Sequence, residues 1–591
     1  MADLGIMALL LGVALSAYAA VGAIVGEKMR MAELAVSAHR ALYMTTASAA
    51  VASAALIYAF VQNDFSIEYV ANHSNTFMDR AFVWVAFYAG NEGSLLYILL
   101  VLAVISAISI WCAPKRLARS MPWTIAILAL TQLFYFSVLV FSASPFELLE
   151  SVPEDGRGIN PLLTHPGMFS HPPLLMGGLI AITVPFAFVS GALIAGNFGD
   201  DWIDVARVSA IIGWGVLGTG MLLGAWWAYT ILGWGGYWAW DPIENVALMP
   251  WLVMTAFIHS IMVQKRRGMF RMWNVALLNI GFVLAQLGMF INRGGPVVSV
   301  HSFAASSLGL IFLSFMLVSL VFAFALFLWR MPQMKSDRNM ESFMSREASF
   351  LVNNFLFLSV MAVTLWGVLF PLFSDFARDV SVSVSAPYFD RANGPVLLGI
   401  VAMMGIGPLL PWRKASARSL KQWFVLPIIV LIVTVVILVV LGVQRPVAIF
   451  SFAVVAFVAA SIVEEWWRGT AARHRSGDNW ALAWWRLING NRPRHGGYIV
   501  HISILMLGLG IIGTNFYQQR TDGAIGLGES LIIDNYRVEY VDRGDASRPD
   551  RIAQWAEMSV YQIDPEDYRQ EIDFARAQGS TGFTLKDSTR R

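Results

Sequence analysis

Charge is scarce in this chain. Of its 591 residues, 14% are Asp, Glu, Lys or Arg, against roughly 25% in soluble domains of ordinary composition. Too few charged side chains remain to cover a water-facing surface, and the mean hydropathy is +0.61. A soluble globular protein is excluded on these grounds. Acids are nearly missing from the apolar runs: Glu92 and Glu244 stand near one set of ends and Glu464 and Glu465 near the other. A proton or ion transporter, which uses carboxylates inside its spans, would carry more. Cysteine is almost absent too. Cys112 is the only one, so no disulfide or CxxC redox pair can form within the chain. At the end of an apolar run beside Lys115 and Arg116, it reads as a small membrane-embedded residue. No basic residue precedes the first apolar run. Lys28 and Arg30 follow it, the reverse of a cleaved signal peptide, so residues 4–26 read as a retained helix with its N-terminus outside. The formal net charge of +2 gives no reason to invoke nucleic acid.

What is present is long apolar runs, and about 20 such residues cross a bilayer. Fourteen runs qualify, near 4–26, 40–61, 94–112, 122–142, 173–195, 206–227, 246–264, 273–291, 304–329, 350–373, 394–412, 423–442, 446–466 and 497–516. Basic residues collect in alternate loops. Loops after odd-numbered runs hold groups such as Lys115/Arg116/Arg119, Lys265/Arg266/Arg267/Arg271 and Arg413/Lys414/Arg418/Lys421. Loops after even-numbered runs hold only Arg80, Arg157, Arg293, Arg378, Arg391 and Arg445. Basic loops stay inside, so the even loops and both termini face outward. The expected fold is an all-α polytopic membrane protein of about 14 transmembrane helices over residues 1–516, with a small β-containing soluble outer domain over 517–591. In that tail Leu531–Val541 alternates like a strand and Pro565–Gln578 suggests a short helix.

Residues 226–251 read WWAYTILGWGGYWAWDPIENVALMPW and hold six of the chain's 22 tryptophans. Two readings stand level. One is an aromatic belt at the membrane–water interface. The other is a platform for a flat, mostly apolar ligand with a polar edge, since clustered glycines allow close approach and indole faces stack on planar rings. Asp241 and Glu244 are the acids of this segment.

Nine histidines are present. His259 and His501 fall inside spans. They stand six and seven residues from the basic inner ends at Lys265 and Arg494, about 9 and 10 Å along a helix, so their depths match. They are either histidines bonded to neighbouring helices or a pair of axial ligands for one haem iron. His171 and His301 lie at the outer starts of the fifth and ninth spans, one outer loop before and one after the tryptophan segment. They read as interfacial loop histidines or as a second pair. His165 is a weaker candidate. His39, His73, His474 and His495 fall in polar stretches and are expected to be solvated.

Trp234–Asn245 (WGGYWAWDPIEN) resembles the tryptophan-rich signature of membrane haem-handling proteins. Asn160–Gly178 (NPLLTHPGMFSHPPLLMGG), His259–Ser260 and Gly496–His501 (GGYIVH) resemble, in the same order over nearly the whole chain, the large subunit of the cytochrome c maturation haem lyase, the CcmF family, or its nitrite-reductase-pathway relative. The resemblance implies that His171 and His301 ligate haem delivered from outside by a CcmE-type chaperone. Trp234, Trp238, Trp240 and Asp241 would form its platform, and His259 and His501 would hold a permanent b-type haem. It implies addition of the two thiols of an apocytochrome c CxxCH motif across the haem vinyl groups. CcmH- and CcmI-type subunits would handle the thiols and dock the apocytochrome, and quinol would be an electron source. The setting implied is the bacterial inner membrane and its lipid. On this reading Asp241 holds an outer histidine or a platform element, and Arg293 and Arg157 face haem propionates.

Two departures accompany the resemblance. The family carries one further span after the outer domain, which residues 517–591 do not show. Asn91 in NEGSLLY stands where some relatives have histidine. A haem transporter and the one-chain cytochrome c synthase are the nearest rivals. The place of the last histidine and the number of preceding spans weigh against the second.

Overall fold

A backbone in hydrocarbon must satisfy its own hydrogen bonds, and helices do so within one segment. The computed structural model describes all residues except 234, 298, 300–306, 337, 381, 549–550, 563–583 and 587–591. It contains fourteen helices long and apolar enough to cross a membrane. They are α1 (Ala2–Lys28), α2 (Ala32–Val61), α3 (Asn91–Trp111), α4 (Met121–Phe141), α5 (Pro166–Ile194), α6 (Ile203–Ile231), α7 (Pro242–Arg267), α8 (Arg271–Gly294), α9 (Leu308–Met334), α10 (Arg346–Arg378), α11 (Ala386–Leu409), α12 (Ala417–Val440), α13 (Pro446–His474) and α14 (Arg492–Tyr517). Each expected run is one of these, and the protein is an integral membrane protein of that architecture. Packing divides it into two compact units, Met1–Gln422 and Trp423–Arg591.

Local chemistry sets the helix limits near the site. α7 starts where Asp241 accepts the Ile243 N–H and Glu244 reaches back to the Asp241 N–H, with Pro242 at the first position. Such a reciprocal box satisfies two donors that a helix start leaves open. α7 ends on Lys265, Arg266 and Arg267 with left-handed Gly268 beyond them, so cations meet the negative end of the helix dipole. α5 is not continuous. It opens in a 3-10 turn, Pro166–Phe169, and continues as His171–Ala181 and Thr183–Ile194, interrupted at Ile182 because Pro185 cannot donate to Ala181 and crowds its carbonyl.

The tail differs from expectation in one respect. Leu531–Val541 is not one strand but parts of two, β1 (Glu529–Ile533) and β2 (Tyr536–Arg548), paired antiparallel. Asp534, at φ 53°, and Asn535 turn the chain between them, as Asp and Asn tolerate a left-handed backbone. With β3 (Arg551–Gln562) and β4 (Thr584–Lys586) they form one antiparallel sheet in the order β3-β2-β1-β4. The helix expected at Pro565–Gln578 lies outside the described residues. The stretch after α13, read as a basic loop, contains a further helix, Trp480–Gly490, capped by Asn479.

Candidate functional site

A 3-10 turn, Pro161–Leu163, precedes α5, whose own first turn, Pro166–Phe169, is also 3-10, and His171 follows. Its ring is 8% exposed and its Nδ1 lies 2.7 Å from the Gly220 carbonyl oxygen on α6. A carbonyl only accepts, so Nδ1 carries the hydrogen and the lone pair sits on Nε2, the nitrogen that a metal takes. This approach needs α6 to lack side chains there. A Cβ on Gly224 would overlap the imidazole, and one on Gly220 would stand 2.6 Å from the Leu175 nitrogen. Trp227, on the next turn, lies nearly parallel to the imidazole, 17° apart with centroids at 6.2 Å.

His165 is held the opposite way. Its Nδ1 accepts the Gly167 N–H at 3.0 Å, so Nε2 carries the hydrogen and donates to Thr230 Oγ1 at 3.2 Å. The Trp227 indole donates to the Leu162 carbonyl at 3.1 Å. Together they fasten the 160–169 loop to the end of α6. With both nitrogens engaged, His165 is a fastener rather than a ligand.

Between α6 and α7 the tryptophan segment is held at several points. Trp240 has a left-handed backbone, φ 58°, a conformation that costs an L-residue about 1–2 kcal/mol. Its neighbours fix it there. Asn245 Nδ2 donates to the Trp240 carbonyl at 2.8 Å, Trp240 Nε1 donates to Asp390 at 2.8 Å, and the indole stacks on Phe389 at 5.1 Å. Trp238 stands edge-on to Trp240 at 6.0 Å. Glu244 accepts from both the Ala239 and Asp241 N–H groups at 3.0 Å. Asp241 also accepts from Ser299 Oγ at 2.6 Å, which brings the α8–α9 connection against the start of α7. Ser299 stands two residues before His301. His301 and Trp234 lie outside the described residues.

Arg293 lies in the interior rather than in an outer loop. Its side chain is fully buried at the end of α8 and donates to Asn91 Oδ1 at 3.0 Å and Ser94 Oγ at 2.7 Å. Asn91 is thus one of its acceptors. Tyr69 and His73, on the short helix Glu68–His73, belong to the same knot. Tyr69 Oη accepts the Gly90 N–H at 2.9 Å and His73 Nδ1 donates to the Tyr69 carbonyl at 2.8 Å. Burial pushes the Tyr69 phenol up and holds the His73 imidazole below the ordinary histidine value. Arg157 is exposed.

Toward the basic end of α7, His259 repeats the His171 device. Its Nδ1 is 2.8 Å from the Thr255 carbonyl, one turn back, so its lone pair too is on Nε2. Thr255 Oγ1 accepts from Trp214 Nε1 at 2.7 Å, and Trp214 stacks on Trp251 at 5.3 Å. Phe350 and Phe357 of α10 face the His259 ring at 6.0 and 6.2 Å. In the second unit, His501 is half-buried on α14 with Tyr498 at 6.3 Å.

Of the four histidines expected to be solvated, His495 is buried and the other three are partly buried against neighbouring side chains. His39 lies within α2 on the Tyr43 hydroxyl, His73 is in the knot, His474 stacks on Trp480, and His495 is buried and accepts from Trp466 Nε1. Aromatic neighbours four to six residues away flank the first three, and Trp466 of another helix meets the fourth. Sequence reading also missed Gly220 and Gly224, whose four-residue spacing on one helix face was a signal. It missed Phe389 and Asp390, which carry none.

The family profile described as "Cytochrome C assembly protein" matches residues 88–295. The chain is similar to the cytochrome c-type biogenesis protein CcmF of Haemophilus influenzae, 31% identical over 572 residues, covering 95% of this chain and 86% of that protein. It is similar to the CcmF of Escherichia coli K12, 32% identical over 555 residues, with 92% and 82% covered. The probable biogenesis protein NrfE of the same organism is 35% identical over 367 residues, covering 62% of this chain and 66% of that one. The solved structure titled "Cytochrome c Heme Lyase CcmF" superposes with a TM-score of 0.78 at 28% identity, covering 95% of this chain and 85% of that chain.

Proposed function

The chain belongs to the CcmF family of cytochrome c-type biogenesis proteins, and from that premise we propose that it is the membrane subunit of a haem lyase which receives haem at the tryptophan-bearing ends of its helices and presents it to apocytochrome c. The observation that carries this reading is His171, buried between two glycines of α6, with its Nδ1 hydrogen fixed on a carbonyl and an indole parallel to its ring. A ligand histidine needs that fixed tautomer. Among the described residues no three His, Cys, Asp or Glu side chains gather to hold a bare metal ion. A single oriented imidazole suits a haem iron, which would come with ligands of its own.

In this proposal the tryptophan-bearing ends are periplasmic, and a CcmE-type chaperone delivers the substrate haem there. His171 and His301 bind its iron, while Trp234, Trp238 and Trp240 offer flat apolar faces. Asp241 and Glu244 hold the backbone of that platform. Each CxxCH thiol adds to a vinyl group: the S–H bond is split between a new C–S and a new C–H bond, with no leaving group and no net oxidation. CcmH- and CcmI-type partners supply the reduced peptide. His259 would offer an imidazole to a resident b-type haem, for which the family resemblance implies His501 as a second ligand, and that haem would supply an electron, drawn from quinol, to keep the substrate iron ferrous. Thr255 orients His259 for that role.

The purified protein is expected to retain a low-spin haem pigment. His259→Ala should lose the pigment, whereas His171→Ala should keep it and lower cytochrome c output at least about tenfold, a difference of about 1.4 kcal/mol or more. An unchanged pigment in His259→Ala sinks the inner assignment, and full output from His171→Ala sinks the outer one.

A further inference from the structure

The three cations that close α7 have different companions. Lys265 pairs with Asp204, and Arg267 pairs with Glu347 at 3.1 Å and Glu341 at 3.2 Å. Among the described residues no carboxylate lies within ion-pair distance of Arg266, which stands between them and is exposed. Its guanidinium lies instead over the Trp412 ring, 5.8 Å from the centroid. That ring leads back to the site: Trp412 meets Phe350 at 6.4 Å, and Phe350 meets His259 at 6.0 Å. All three are partly buried. His259 and Arg266 are seven residues apart on one continuous helix, which places them within about 20° of the same face and about 10 Å apart along the axis. An aromatic shelf therefore runs from an imidazole oriented for metal binding to a guanidinium at the basic end of the bundle. Arg346 also lies over Trp412, at 5.3 Å, but its guanidinium donates to the Leu410 and Pro408 carbonyls at 2.9 and 2.5 Å.

We propose that Arg266 is the carboxylate partner of the ligand His259 holds: for a b-type haem, the group that pairs with a propionate. The inference rests on the proposed inner haem and names a contact that this reading leaves open. The chemistry is that of the shelf. A flat apolar ring lies along Phe350 and Trp412 while its acidic edge meets a cation at the watery end. Arginine is suited to this because its planar fork stacks on an indole and still offers two parallel N–H groups to a carboxylate. A cation close to the iron favours the reduced, less positive state, so its removal should make reduction harder.

The test uses the full chain in lipid nanodiscs. Wild type, Arg266→Gln, Arg266→Lys and His259→Ala are compared for haem retained through purification and for midpoint potential by spectroelectrochemistry. Arg266→Gln should shift the potential to a more negative value and lose haem more readily, and Arg266→Lys, which keeps the charge, should recover part of the shift. Arg266 is exposed, so the variants should fold, which gel filtration checks. The proposal is overturned if Arg266→Gln matches wild type in potential and retention while His259→Ala has lost its pigment. A change confined to co-purifying anionic phospholipid also overturns it, making Arg266 a headgroup contact. Pigment persisting in His259→Ala removes the inner-haem reading itself, a separate result.

Discussion

A histidine that offers one ring nitrogen to iron needs the other held by an acceptor. In the proposed roles, His171 uses Gly220 of a neighbouring helix and His259 uses Thr255 of its own. The two differ in how easily they can be disturbed. An i−4 carbonyl comes with any helix, but the His171 bond depends on two helices touching where α6 is reduced to glycine. Gly224→Ala should therefore act on His171 alone. The added methyl overlaps the imidazole, and overpacking of this kind costs about 1–3 kcal/mol. Cytochrome c output should fall severalfold while the retained pigment keeps its amount and spectrum. Equal loss of both would mean that the helix pair, and not the ring, had been displaced. His165 shows the limit of residue type as a guide. It lies six residues from His171, yet the Gly167 N–H on its Nδ1 gives it the other tautomer and a fastening role.

At the scale of elements, the tryptophan-bearing ends are held by polar knots. The end of α8, the start of α3 and the helix Glu68–His73 meet around Arg293, Asn91, Ser94, Tyr69 and His73. This knot carries a pH dependence whose sign follows from burial. Desolvation lowers the His73 pKa below 6.5, although the Tyr69 carbonyl and Glu92 act in the other direction. The unfolded chain then binds the proton more readily, so the contribution to stability is full above about pH 6.5 and is lost as the pH falls below it. Thermal unfolding in detergent should show a falling midpoint between pH 7 and pH 5, and His73→Gln should flatten part of that slope. Identical slopes for the two proteins would refute the assignment. The start of α7 is legible in sequence, since Asp241, Pro242 and Glu244 spell a helix start. The positive φ of Trp240 and its seat on Phe389 and Asp390 are not, because the partner residues lie about 150 positions away.

For the whole molecule, the alternation of basic loops gives an orientation that the lone cysteine can test. Cys112 is exposed, at the end of α3 next to Lys115 and Arg116. A membrane-impermeant maleimide applied to spheroplasts should leave Cys112 unlabelled, while Ser151→Cys in a Cys112→Ser background should be labelled. The reverse pattern would invert the topology and place the tryptophan segment inside.

The sequence by itself determined the fourteen spans, the strand character of the tail and the family, because apolar length, loop charge and motif order are local quantities read along the chain. It also marked His171, His259 and the tryptophan segment as candidates. Only the tertiary structure decided which nitrogen each histidine presents, that Arg293 lies inside, and that Arg266 stands at the end of an aromatic shelf. Those facts depend on which carbonyl, ring or carboxylate another helix brings within a few ångströms. Hydrogen bonds and ring contacts act over such distances alone, and neither composition nor periodicity records which helices come together.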